Sequence, residues 1–185
     1  MKGENNMKIL VVVDMQHDFI DGSLGTKEAQ AIMPNVKKKV EEAVKNGDLI
    51  IYTRDTHFGD YLNTREGKKL PVVHCVYDTL GWQIPNELLP PSDYIPTEVI
   101  DKFTFGSLAL PDFIATSELA LSCNEIELVG LCTDICVVSN ALLLKAHFYN
   151  NMDISVDATC CAGVTPETHE AALKTMEMCQ INVKR

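Results

Sequence analysis

Hydrophobic residues along this chain come in two rhythms. Short continuous apolar runs rich in β-branched residues occupy positions 8–13, 49–53 and 125–129. Such runs read as strands buried on both faces, the pattern of a parallel sheet. Positions 98–101, 152–156 and 181–183 read as further strands. Between the runs, apolar residues recur at helical spacing. Over 29–45 they are Ile32, Val36, Val40 and Ala43, with Lys37, Lys38 and Lys39 as solvated charge and Asn46-Gly47 as the stop. Positions 111–122, 134–149 and 166–179 read as three more helices. The segment 58–87 carries few regular signals beyond a short strand at 72–75. The alternation predicts an α/β fold, a three-layer α/β/α sandwich with a central, mainly parallel sheet. It fills one domain over 1–185, with polar residues 1–6 expected to fray.

Composition narrows the partners. A formal net charge of −10 argues against nucleic acid and against an anionic membrane surface. With no secretory leader and no long apolar run, the seven cysteines are expected as free thiols in a reducing cytoplasm. No CxxC pair is present, which speaks against a structural zinc knuckle.

In a parallel α/β sheet, sites form beyond the carboxyl ends of the strands. Asp14, Asp55, Lys102 and Cys136 all fall at such ends. Cys136 follows the turn Gly130-Leu131-Cys132-Thr133-Asp134. Thr133 reads there as a helix N-cap, and free backbone N–H groups would favour the thiolate. The plain alternative is a small buried apolar residue. Asp14 as acid/base and Lys102 as its counter-charge complete a cysteine-hydrolase triad. Taken singly, Asp14 reads equally as a turn residue and Lys102 as a surface charge. Asp55 and His57 form a D-x-H pair after a strand, with Glu66 and His74 further along the same loop. That donor set suits zinc, iron, manganese or nickel better than calcium, though ordinary loop hydrogen bonds would also account for it. A loop this long is uncommon unless it builds a site.

The order Asp14-Met-Gln, Lys102 and Gly130-Leu-Cys-Thr-Asp-Ile-Cys136 resembles the isochorismatase-like cysteine hydrolases, over about positions 8–183. Asp55-Thr-His57 and Pro71-Val-Val-His74-Cys75 resemble the nicotinamidase branch. The resemblance implies a triad of Asp14, Lys102 and Cys136, and a divalent metal, zinc first, on Asp55, His57 and His74 with Glu66 as a further ligand. It implies a cis peptide at Leu131-Cys132, with the N–H groups of Cys132 and Cys136 as the oxyanion hole. Phe19 matches a position that packs on the substrate ring, and Leu131 joins the pocket. The implied activity is hydrolysis of nicotinamide to nicotinate and ammonia, or of another small amide or carbamoyl compound, by a homo-oligomer.

The pattern also departs from that branch. Leu70-Pro71-Val72-Val73 lacks the usual aromatic residue before the third ligand. Phe103-Thr-Phe105-Gly106-Ser107 replaces the usual Tyr-Ser-Ala-Phe, and Asp78-Thr79-Leu80-Gly81 replaces Gly-Thr-x-Gly. Phe105 or Trp82 is expected to supply the missing ring contact.

Overall fold

The computed structural model describes residues 7–185; the expectation that 1–6 fray falls outside the described residues. The first strand, β1 (Ile9–Val13), is buried throughout. Its neighbours in sequence face opposite layers, as the two-residue period of a strand requires. Ile9, Val11 and Val13 join one core, while Leu10 and Val12 join the other.

After β1 come α1 (His17–Ile20), α2 (Lys27–Asn46), β2 (Leu49–Asp55), β3 (Thr97–Lys102) and α3 (Ala109–Thr116). Then follow β4 (Glu125–Leu131), α4 (Val138–Phe148), β5 (Asp153–Ala162), α5 (Pro166–Met178) and β6 (Asn182–Lys184). The six strands are all parallel, in the order β3-β2-β1-β4-β5-β6. Helices α3, α4 and α5 cover one face through Leu110, Ile114, Leu144 and Leu173. Helix α2 covers the other through Ile32, Val36 and Val40, beside Ile84 and Leu88 of the long loop. This is the expected three-layer sandwich. The strand order reverses direction between β1 and β4, which is where ligand crevices open in such sheets.

Three local expectations need correction. Residues 72–75 form no strand; one bridge pairs His57 with Val76. Cys75 takes φ 46 and Asp78 φ 64, so the chain turns where a strand would run straight on. The helix expected over 111–122 divides at Ser117, extended at φ −79, ψ 122, into α3 and a 3-10 turn over Glu118–Ser122. Strand β5 runs well past the expected end at 156, to Ala162, with Asp157 within the strand paired to Lys39 Nζ at 2.6 Å. Among the described residues, no helix is long and apolar enough to cross a membrane.

Candidate active site and metal centre

Strand register assembles the site before any side chain is considered. Asp55 pairs with Lys102 at the ends of β2 and β3, and Val13 pairs with Thr53 and Gly130. Asp14 therefore leaves β1 beside Thr53, and the turn holding Cys136 leaves β4 on its other side. Gly130 makes that approach possible. It takes φ +115, and a Cβ there would stand 2.1 Å from the Val13 carbonyl oxygen. The next peptide, Leu131-Cys132, is cis.

Asp14 itself takes φ 47, a conformation a non-glycine residue holds only where its surroundings fix it. Here the Asp14 N–H donates to the Thr53 carbonyl (3.1 Å) and the Thr53 hydroxyl to Asp14 Oδ1 (2.7 Å). Lys102 Nζ lies 2.6 Å from Asp14 Oδ2, 3.4 Å from Asp55 Oδ1 and 3.5 Å from Cys136 Sγ. All three triad candidates are buried.

Burial sets their charges. It pushes the Asp14 carboxyl above its ordinary range, with Asp55 adding to the effect and Lys102 opposing it. Burial alone would discharge Lys102, but the facing Asp14, Cys136 and Asp55 hold its pKa above the ordinary lysine value. The Cys136 thiol is raised well above its usual value, first by burial and then by Asp14, against the pull of Lys102. Here the expectation of a thiolate favoured by the helix start is corrected. The chain at 133–137 forms a wide π turn, and Thr133 caps nothing there, because its hydroxyl is paired with His169 Nδ1 at 2.8 Å. Burial and Asp14 thus work against the thiolate at Cys136, and Lys102 works for it. The Cys132 thiol is also pushed up, to about 12, chiefly by burial. What separates the two sulfurs is the 3.5 Å contact of Cys136 Sγ with Lys102 Nζ.

Asp55, His57, Glu66 and His74 each turn one donor atom into a common space, all four within 4.8 Å of one another. His57 Nε2 is buried and 3.0 Å from Asp55 Oδ2, yet angled so that it makes no hydrogen bond. An orphaned buried nitrogen facing two carboxylates and a second imidazole fits a divalent cation. His74 Nδ1 sits 2.8 Å from the Val72 carbonyl, which fixes the ring and leaves Nε2 for the metal. His57, His74 and Lys102 also hold the Asp55 carboxyl below the ordinary range, against burial.

A cavity of about 540 Å³ opens against both groups. Phe19, Phe105, Leu131, Cys132, Cys136, Asp55, Glu66 and His74 all line it, as the sequence leads one to expect. Trp82 does not. Its indole donates to the Thr56 hydroxyl (2.9 Å) and its face is covered by the Arg54 guanidinium, 3.6 Å from the ring centre. Of the aromatic residues expected at the pocket, Phe19 and Phe105 line the cavity and Trp82 lies outside its lining.

Several contributors escape sequence reasoning. Buried Gln16 grips Asp55 from both sides, donating to its carbonyl (2.9 Å) and accepting its N–H (2.7 Å). The Asp14-Met-Gln run was the available signal. Tyr61 packs its ring 4.5 Å from His57 and 5.0 Å from His74, centre to centre, and no local pattern marks it. Asn140 carries three hydrogen bonds, to Ser107, Phe105 and the carbonyl of Cys136.

Known proteins are similar to this chain over nearly its full length. A probable inactive nicotinamidase of Arabidopsis thaliana is 30% identical, over 95% of this chain and 89% of its own. The crystal structure of a pyrazinamidase of Pyrococcus horikoshii in complex with zinc superposes with a TM-score of 0.81 at 26% identity. It covers 96% of this chain and 98% of the relative. An N-carbamoylsarcosine amidase from Thermoplasma acidophilum gives 0.75 at 25% identity, over 97% and 96%. The isochorismatase domain family matches residues 8–184, nearly the full length, and the chain belongs to that family, on its nicotinamidase side.

Proposed function

We propose that the protein is a nicotinamidase-type amidohydrolase, converting nicotinamide and water to nicotinate and ammonia through a thioester on Cys136. The carrying observation is Lys102 within 3.5 Å of both Asp14 and Cys136, with Cys136 lining a cavity that is also lined by Asp55, Glu66 and His74 of the four-donor cluster. Asp14 takes the thiol proton as sulfur attacks the carboxamide carbon, and the developing oxyanion is received by the N–H groups of Cys132 and Cys136. The C–N bond breaks, Asp14 returns the proton to the leaving nitrogen, and ammonia departs. Water, deprotonated by Asp14, then attacks the thioester, the C–S bond breaks, and carboxylic acid and free thiol are restored. Lys102 stabilises ionised Asp14 between the steps. Asp55, His57, His74 and Glu66 would hold a divalent ion, zinc first, with iron, manganese or nickel as alternatives. Bound there, such an ion would supply a Lewis-acid anchor for the substrate ring, fixing the amide before the nucleophile.

Ammonia release from nicotinamide by the zinc-loaded protein is the deciding assay. Cys136→Ala is expected to lower kcat/KM by on the order of 10⁵-fold or more. The second reading is a small carbamoyl compound as substrate, favoured by the displacement of Trp82 from the cavity. Turnover of such a compound, with nicotinamide inert, would select it. A silent binding protein on this scaffold predicts neither activity nor preferential alkylation of Cys136 over the other six cysteines. The proposed assembly is a homo-oligomer in the cytoplasm, acting on a small molecule without nucleic acid or membrane.

A further inference from the structure

We infer that the amide received by this site carries an anionic group, carboxylate or phosphate, bound by Arg65 and Lys69 at the cavity wall. The inference rests on the amidohydrolase reading and narrows its substrate class.

Charge balance leads to it. Asp14 is matched by Lys102 at 2.6 Å, and Asp55 and Glu66 together would match one divalent cation held by their cluster. Arg65 and Lys69 remain, both lining the same cavity. Neither makes a salt bridge among the described residues, in a chain with 26 acidic and 16 basic side chains. Two exposed positive charges thus stand at the wall of a space whose carboxylates a bound divalent cation would compensate. Fields inside a low-dielectric cleft act more strongly than at an open surface, so an anion is drawn there even against the net charge of −10.

The loop holding these side chains is built to keep its shape. The N–H groups of Lys69 and Leu70 both donate to the Glu66 carbonyl at 2.8 Å, and the Thr64 hydroxyl accepts from Gly67 at 2.9 Å. The Tyr61 hydroxyl donates to the Leu70 carbonyl at 2.9 Å, and Gly67 lies so close to Tyr61 that a Cβ would meet its carbonyl oxygen at 2.1 Å. The backbone that carries Arg65 and Lys69, on either side of Glu66 in sequence, is therefore held in one shape. Size agrees. About 540 Å³ lies in the range that encloses drug-sized ligands, with room beyond a single ring. Phe19, Leu24, Ile135 and Val164 make much of the remaining lining apolar, so the anion has no competing cation to choose.

The test compares three amides on the zinc-loaded protein: nicotinamide, the same ring with an added carboxylate, and the same ring with an added phosphate. One anionic amide is expected to exceed nicotinamide in kcat/KM by about tenfold or more, the size of a charge-assisted contact. Which of the two it is identifies the group. The preference should collapse in the Arg65→Gln/Lys69→Gln double variant, return in Arg65→Lys/Lys69→Arg, and shrink with added salt. No preference in the wild type, or a preference unchanged by the double variant, overturns the inference. If no amide is hydrolysed, the amidohydrolase reading fails on its own. The anion site is then decided by whether the anionic compounds protect Cys136 from iodoacetamide better than nicotinamide does, in the wild type but not in the double variant.

Discussion

Asn140 carries more of the site than its place in a helix advertises. It is fully buried, and its carboxamide is used on both sides. Oδ1 accepts the Ser107 N–H at 2.9 Å, while Nδ2 donates to the carbonyls of Cys136 (2.8 Å) and Phe105 (3.3 Å). One side chain thus ties the cavity wall at Phe105 to the turn that presents the nucleophile. Asn140→Ala leaves those partners unpaired in the interior, which costs about 1–3 kcal/mol of stability. It also frees Cys136 to shift relative to Asp14, and a displacement near an ångström lowers kcat/KM on the order of 10²-fold. Denaturant unfolding and amide hydrolysis measure the two effects. A stability loss with catalysis intact would confine Asn140 to a structural part. Sequence gave no hint of this, because an asparagine in helix α4 makes the same local pattern whether it faces water or the nucleophile.

At the scale of elements, the strands were legible because a doubly covered sheet demands unbroken apolar runs, and their ends marked Asp14, Asp55, Lys102 and Cys136 correctly. What stayed hidden depended on partners distant in sequence. β5 outlasts its apolar run with Asp157 paired to Lys39, and 72–75 fails as a strand through the positive φ at Cys75. The spacing of Asp55, His57, Glu66 and His74 proposed a metal site, but only the fold shows their donors converging. The junction of β4 with the nucleophile turn is where one residue decides an element. Gly130 has a φ few side chains tolerate and lies in backbone contact with Val13. Gly130→Ala must push β4 from β1 or change φ, so we expect a loss of about 4 kcal/mol or more, or no folded protein. A loss under about 1 kcal/mol in urea unfolding would show that the strand end can relax.

Over the described residues, an extended network of ion pairs lies away from the active site. Lys184 Nζ bridges Glu125 (2.6 Å) and Glu127 (2.7 Å), Lys8 reaches Glu125 (3.0 Å), and Lys39 spans Glu127 (3.5 Å) and Asp157 (2.6 Å). Alternating charges join β4, β5, β6, α2 and the residue before β1, so the network braces the sheet and the helix above it. Isolated surface pairs contribute little, whereas a shared network of partly buried groups holds its geometry better. For Glu125, burial works to raise the pKa, but bonds from Lys184, Ser155 and Lys8 outweigh it and bring the value to about 2. A carboxyl lowered on folding stabilises the protein above its unfolded pKa, and that contribution fades as acid protonates it. The stabilisation is therefore complete above about pH 5 and is lost as pH falls from about 4.5 toward 2. Lys184 supplies the opposite flank: burial lowers its pKa, the two glutamates raise it further, and its share is lost only at alkaline pH above the ordinary lysine value. Glu125→Gln should be less stable than the wild type by a constant margin at neutral pH, with the margin narrowing steadily below pH 4.5. Urea unfolding of both proteins at stepped pH reads it directly. A margin that stays constant, or widens, down to pH 3 would mean that Glu125 is not held ionised by these lysines.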